Sequence, residues 1–226
     1  MDDAELRAYY DARAPYYDEA YAGDAPAWVA EMVAAMRDTL RGRHVLELAC
    51  GTGHWTAALA PVAASITAID TSAAMRSIAG DRLAAHPRVS VHPGDAYRLE
   101  EIDGHFRAAR EQGMPQPTGG LAMQWLSHVP TRRRAEFLAG WHRCLGRGAA
   151  VFLADNQLTP PWEDRLVARP GDHDTYEPRS LPGGQEYLIV KNYFTPAKLR
   201  SILEPETADL RITSGTRWWW LSYRIA

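Results

Sequence analysis

The stretch Val45-Leu46-Glu47-Leu48-Ala49-Cys50-Gly51-Thr52-Gly53-His54-Trp55 decides how this chain folds. An apolar strand runs into two closely spaced glycines and then into a helix, a corner that presses backbone N–H groups against a ligand. Nineteen residues after Gly51, the run Ser65-Ile66-Thr67-Ala68-Ile69 ends in Asp70. A carboxylate there is placed to accept both hydroxyls of a ribose. A full dinucleotide fingerprint has a third small residue at position 56, where this chain has Thr56. Val89-Ser90-Val91-His92-Pro93-Gly94-Asp95-Ala96 supplies a third strand ending in another acid. Three successive strands therefore each end in chemistry.

Outward from this corner the pattern alternates strand and helix. Trp28, Val29, Met32, Val33, Met36 and Leu40 recur at helical spacing over residues 25–40, with Pro26 in the first turn. A helix from His54 to about Ala63 points its N-terminus at the glycine turn and favours the anionic end of a ligand. Thr71-Ser72 caps a helix through about Ala84, which completes a βαβαβ unit. A short helix is expected around Ile102–Arg110, then a Pro-rich loop at 113–117 and a fourth, fully apolar strand from Gly119 to Leu126. The helix that starts at Pro130-Thr131 carries Phe137, Leu138, Trp141 and Leu145 and stops at Gly146, with Arg132-Arg133-Arg134 on a solvated face. A fifth strand, 149–154, ends at Asp155-Asn156. Residues 157–185 lack periodicity and read as a long site-covering or disordered connection. A strand-like run at 186–193, a helix from Thr195 to about Leu203, and a closing hairpin of strands near 207–214 and 217–225 follow. In Trp218-Trp219-Trp220 the middle ring should face opposite to its neighbours.

Composition narrows the classes. A chain of 226 residues suits one domain with a full core. Lys plus Arg number 25 and Asp plus Glu 28, a net charge of −3, which disfavours a polyanionic partner such as nucleic acid. Two cysteines, Cys50 and Cys144, make no disulfide framework and suggest a reducing cytoplasm. The acidic N-terminus and the lack of a run of about twenty apolar residues speak against a signal peptide or membrane span. Asp172-His173-Asp174 has no defined ligand geometry, so no metal is assigned.

These residues together resemble the class I S-adenosylmethionine-dependent methyltransferases across nearly the whole chain. Glu47 to Gly53 resembles the first family motif, Asp70 the ribose-binding acid, Asp95-Ala96 the adenine-holding pair, and Gln124-Trp125 the fourth-strand motif at the methionine moiety. Tyr10-Asp11-Ala12-Arg13-Ala14-Pro15-Tyr16-Tyr17-Asp18 resembles the Tyr-Asp-x-x-Ala-x-x-Tyr-Asp lid of small-molecule members. The resemblance implies an α/β, Rossmann-like, doubly wound seven-stranded sheet, mostly parallel with an antiparallel C-terminal hairpin, helices on both faces and an N-terminal helical lid. It implies one domain over 1–226, with the lid at 1–24 and a substrate-side insertion at 157–194, acting as a monomer or homodimer.

The cofactor-binding set implied by the resemblance is Tyr10, Tyr17, Glu47, Ala49, Gly51, Gly53, Asp70, Thr71, Asp95, Ala96, Gln124 and Trp125. His128 follows the fourth strand, where a base could stand; Tyr17, Asn156 and Tyr193 complete the catalytic candidates. Two reactions stay open. The first is methyl transfer from S-adenosylmethionine to a small molecule, giving S-adenosylhomocysteine; the second is attack of the cofactor's own amine on its carbon chain, giving azetidine-2-carboxylate and methylthioadenosine. A non-catalytic cofactor-binding partner or sensor is a third, and a nicotinamide-dependent oxidoreductase the general rival of this fold.

Overall fold

The computed structural model describes residues 3–21, 26–111, 113, 115–160 and 162–226. Ala25, Met114 and residues 22–24 of the expected lid lie outside them. In chain order the elements are α1 (Asp3–Arg13), α2 (Ala27–Leu40), β1 (His44–Leu48), α3 (His54–Leu59), β2 (Ser65–Asp70), α4 (Ala73–Leu83), β3 (Val89–Pro93), α5 (Leu99–Glu111) and β4 (Gly119–Met123). After them come α6 (Arg134–Leu145), β5 (Ala150–Asn156), β6 (Val167–Ala168), β7 (Thr175–Ser180), β8 (Glu186–Val190), α7 (Pro196–Leu203), β9 (Thr207–Ser214) and β10 (Trp218–Ile225).

Seven strands form one sheet in the order β3-β2-β1-β4-β5-β10-β9. The first five are parallel, and β10 pairs antiparallel with both β5 and β9. Chain order reverses between β1 and β4, so their carboxyl ends open a crevice, the standard ligand position in such sheets. The two-residue period of the strands sorts the core. Val45, Leu121 and Phe152 face Met32, Met36 and Leu40 of α2, while Leu46, Ala122 and Val151 face Phe137 and Trp141 of α6 on the other side. Trp219 joins the α6 side and Trp218 and Trp220 the α2 side, as the alternation requires. Helix α6 comes so near β4 that a Cβ on Gly120 would stand 2.6 Å from Leu145 Cδ1 and 2.9 Å from Trp141. No described helix is long and apolar enough to cross a membrane.

Several elements differ from the sequence expectation. β4 stops at Met123, because Gln124 takes a left-handed conformation (φ 57°) that ends the ladder. α3 closes at Leu59, before Pro61, and α5 is longer than expected. Residues 157–185 hold β6 and β7, which with β8 make a separate antiparallel sheet. Arg134 is buried against the Phe194 ring at 4.8 Å rather than solvated, and Arg133 lies 4.0 Å from the Tyr97 ring. Asp172 accepts from the Tyr176 hydroxyl, and Asp174 accepts from Thr131 and Asn192.

Candidate functional site

The glycine corner begins where β1 ends. Ala49, Gly51 and Gly53 all have positive φ, of 51°, 56° and 75°. Gly53 caps α3, and a Cβ there would stand 3.0 Å from Leu83 Cδ1 and 3.2 Å from Ala79 on α4. Both the left-handed backbone and the close helix therefore demand glycine. The turn delivers one N–H to Asp70, from Gly51 to Oδ2, and Ser72 at the start of α4 donates its own N–H to Oδ1, each at 2.8 Å. Burial raises the Asp70 pKa, and these two N–H groups pull against it. Glu47 lies beneath the corner, 1 % exposed, with no hydrogen-bond partner for Oε2 among the described residues. Its carboxyl is pushed up to about 8, by burial above all.

Helix α1 and the 3-10 turn Ala14–Tyr21 form a lid over this edge of the sheet. Each Tyr-Asp pair of the lid divides its work. Tyr10 and Tyr17 line the cavity beneath, while the two aspartates fasten the lid to α4 and the corner. Asp11 accepts from the Ser72 hydroxyl; Asp18 pairs with Arg82 and accepts from Thr52 Oγ1 at 2.7 Å. Tyr17 and Tyr21 hydroxyls donate to Gln124 Oε1 at 3.1 and 2.9 Å, and Arg13 lies 5.1 Å from the Tyr17 ring.

Between lid and sheet lies a cavity of about 220 Å³. Asp70 at the end of β2 with Thr71 after it, and Asp95 and Ala96 after β3, line it on the acidic side; Tyr10, Tyr17, Gln124, Trp125 and His128 line it on the aromatic side, with Ala49 and Gly51 at the corner. Eleven of the fifteen expected site residues are thus gathered around one space. Glu47 and Gly53 support the corner without lining the cavity; Asn156 and Tyr193 also stand away from it. Asn156 Oδ1 accepts from Lys191 at 3.3 Å, and the Tyr193 hydroxyl is 3.5 Å from Glu177. Arg7, Met75, Tyr97 and Met123 line the cavity too, without having been expected. Tyr97 and Met75 follow the motif residues closely enough for that proximity to have flagged them.

A buried polar network underlies the aromatic end. Lys191 Nζ is 2.9 Å from Asp155 Oδ1 and 2.7 Å from Ser127 Oγ, with both charged side chains almost wholly buried. Ser127 N–H donates to the other Asp155 oxygen at 3.0 Å, and Asn192 N–H donates to the Ser127 carbonyl at 2.8 Å. Burial would raise Asp155, yet the Lys191 charge takes its pKa below the ordinary value. These bonds hold the turn that carries His128, whose Nδ1 is 2.7 Å from the Val190 carbonyl and whose Nε2 is 2.9 Å from the Tyr10 hydroxyl. Burial, then the nearby Lys191 charge, takes His128 down to about 3, so the ring is neutral.

Residues 45–148 match the family model described as a methyltransferase domain. No curated protein matches the chain. Among solved structures, the DhpI–SAH complex is 25% identical with a TM-score of 0.70, the match covering 99% of this chain and 96% of that one. The DhpI–SAM–HEP complex has a TM-score of 0.76 at 24% identity and covers 99% of both chains. The Burkholderia thailandensis 1,6-didemethyltoxoflavin-N1-methyltransferase, with bound 1,6-didemethyltoxoflavin and S-adenosylhomocysteine, has a TM-score of 0.64 at 16% identity over 99% of this chain and 88% of its own. The likenesses at 24% and 16% identity are likenesses of fold.

Proposed function

Since residues 45–148 are a class I S-adenosylmethionine-dependent methyltransferase domain, we propose that the chain methylates a small molecule held beneath its lid. S-adenosylmethionine is the cofactor and S-adenosylhomocysteine the product. The observation that carries the small-molecule reading is the lid: α1 and the turn that follows it roof the cavity that the cofactor residues line, and Tyr10 and Tyr17 of that lid face into it. An acceptor that reaches the cofactor beneath such a roof is a small one. The B. thailandensis enzyme, alike in fold, has a bound small molecule.

The residues present fit the cofactor. The glycine corner leaves room where a side chain would intrude: a Cβ on Gly51 would enter the space beneath Tyr17. Asp70 and Thr71 would hold the ribose, Asp95 and Ala96 the adenine, and Ala49, Gly51, Gln124 and Trp125 the methionine portion. When bound, the cofactor supplies an electrophilic methyl group. The chain itself positions the acceptor in line with it and excludes water, which can account for much of such a rate enhancement. Tyr10 and Tyr17 close the space, and the aspartates beside them keep it closed.

Intramolecular cyclisation would need the cofactor amine held by Asn156, Tyr193 and the lid tyrosines. Of these, only the lid tyrosines line the cavity; Asn156 and Tyr193 engage Lys191 and Glu177 instead, which favours methyl transfer. The test is incubation with S-adenosylmethionine, with and without a panel of small amines, phenols and carboxylic acids, followed by mass spectrometry. Acceptor-dependent S-adenosylhomocysteine is the expected product. Methylthioadenosine formed without acceptor, above the no-enzyme rate, would overturn the methyltransferase reading.

A further inference from the structure

The hydroxyl protons of the lid tyrosines have fixed directions. A carbonyl oxygen only accepts, so His128 Nδ1, 2.7 Å from Val190 O, carries the ring hydrogen. In a neutral imidazole Nε2 is then an acceptor, and the Tyr10 hydroxyl at 2.9 Å must donate to it. The same holds for Tyr17, whose hydroxyl donates to Gln124 Oε1 at 3.1 Å. A phenol has one proton. With that proton turned toward Gln124 or His128, each tyrosine oxygen has only lone pairs left for a ligand.

The place of these oxygens follows from the corner. The sulfur of S-adenosylmethionine is one methylene away from its ribose, and the ribose acid Asp70 is bonded to Gly51 N–H. Tyr17 Cε1 stands 3.9 Å from where a Cβ on Gly51 would lie, and the Tyr10 ring is 6.2 Å from that of Tyr17. The two lid tyrosines therefore face the corner against which the ribose, and the sulfur just beyond it, would lie. Resting on the cofactor reading above, we propose that His128 and Gln124 are positioning residues that polarise the lid, so that the Tyr10 and Tyr17 oxygens accept from the cationic sulfonium and its methyl group. The lid then binds S-adenosylmethionine in preference to neutral S-adenosylhomocysteine, and its hold weakens when the methyl group departs. Arg13 already lies 5.1 Å from the Tyr17 ring, so for this tyrosine the oxygen is the better-placed acceptor of a second cation. The neutral state of His128, held by burial and by Lys191, keeps Nε2 an acceptor through the physiological range.

Calorimetric titration of both ligands into the full chain tests this without an acceptor. Tyr10→Phe and Tyr17→Phe should each lower affinity for S-adenosylmethionine about three- to tenfold more than for S-adenosylhomocysteine, the size of one weak polar contact. His128→Leu should shift the ratio of the two affinities as Tyr10→Phe does, and should shift it no further in the Tyr10→Phe background. His128→Gln, whose amide oxygen can still accept, should retain most of the wild-type ratio. An unchanged ratio in Tyr10→Phe overturns the proposal whatever happens to the absolute affinities, and decides it even if His128→Leu does not fold. A ratio that falls in His128→Leu equally with and without the Tyr10 hydroxyl also overturns it. Wild type that binds neither ligand would instead overturn the cofactor reading, and this proposal with it.

Discussion

Asp70 joins structure and binding in one carboxylate. Its oxygens take N–H groups from the corner at Gly51 and from Ser72 at the start of α4, so an amide can satisfy one and must turn an N–H against the other. Asp70→Asn should therefore lower S-adenosylhomocysteine affinity by about 10- to 100-fold, the loss of one or two hydrogen bonds to a charged group, as read by calorimetry. Glu47 yields a prediction with the opposite emphasis. Its folded pKa of about 8 lies above the ordinary value of 4.5, so its contribution is whole below 4.5 and is lost as pH rises through 8. Glu47→Gln removes that titration. The variant's stability advantage over wild type should grow by up to about 1.4 kcal/mol per pH unit between those values in urea unfolding of the ligand-free protein. A flat difference would show that Glu47 ionises freely. The binding residues were legible because their motifs are local, each acid ending a strand. The tethering roles of Asp11, Asp18, Asp155 and Lys191 were not, because their partners lie far along the chain: Asp18 meets Arg82, and Lys191 meets Asp155.

Elements were legible where one period governed them. α2, α4, α7 and the hairpin of β9 and β10 stand within a residue or two of their expected limits. β7 was hidden, since Thr-Tyr-Glu-Pro-Arg-Ser has no alternation and carries Pro178 within it. The early stop of β4 was hidden as well, for nothing local marks Gln124 as left-handed. Its conformation accompanies hydrogen bonds from two lid tyrosines more than a hundred residues away. Between elements, α4 packs tightly against the corner. Gly53→Ala would place a methyl 3.0 Å from Leu83 Cδ1 and hold alanine at φ 75°. The expected cost is about 1–3 kcal/mol in chemical denaturation, with weakened cofactor binding, because the strained backbone is the ligand-facing turn. Ala79 would still stand 3.2 Å from the new methyl if Leu83 were trimmed, so a change at Leu83 should not rescue the variant. On the lid, Asp18→Ala removes the bonds to Arg82 and Thr52 and should raise KM for S-adenosylmethionine about three- to tenfold, in line with one charge-assisted contact of a half-exposed group.

At the scale of the molecule, the large sheet and the small one meet at a buried ion pair. Lys191, just past β8, reaches Asp155 on β5 and Ser127 on the turn after β4, so the insertion sheet is anchored to the same carboxyl edges that line the cavity. Burying two charges is costly, and such a pair is retained at no clear gain over apolar side chains. Its removal one partner at a time is another matter. Lys191→Met leaves Asp155, 0 % exposed, with two backbone N–H groups and no countercharge, and should destabilise the protein by about 3–5 kcal/mol. Asp155→Leu combined with Lys191→Met should recover most of that loss, since no charge is then stranded. The double variant should nevertheless bind S-adenosylmethionine more weakly. Without Lys191 and Asp155 the turn bearing His128 loses both anchors of Ser127 and keeps its bonds to Val190, Asn192 and the Tyr97 hydroxyl, so Tyr10 has a less rigid acceptor. Urea unfolding and cofactor titration on the two variants separate these effects. A double variant as unstable as the single would mean that the packing volume of these side chains, rather than their charges, joins the two sheets.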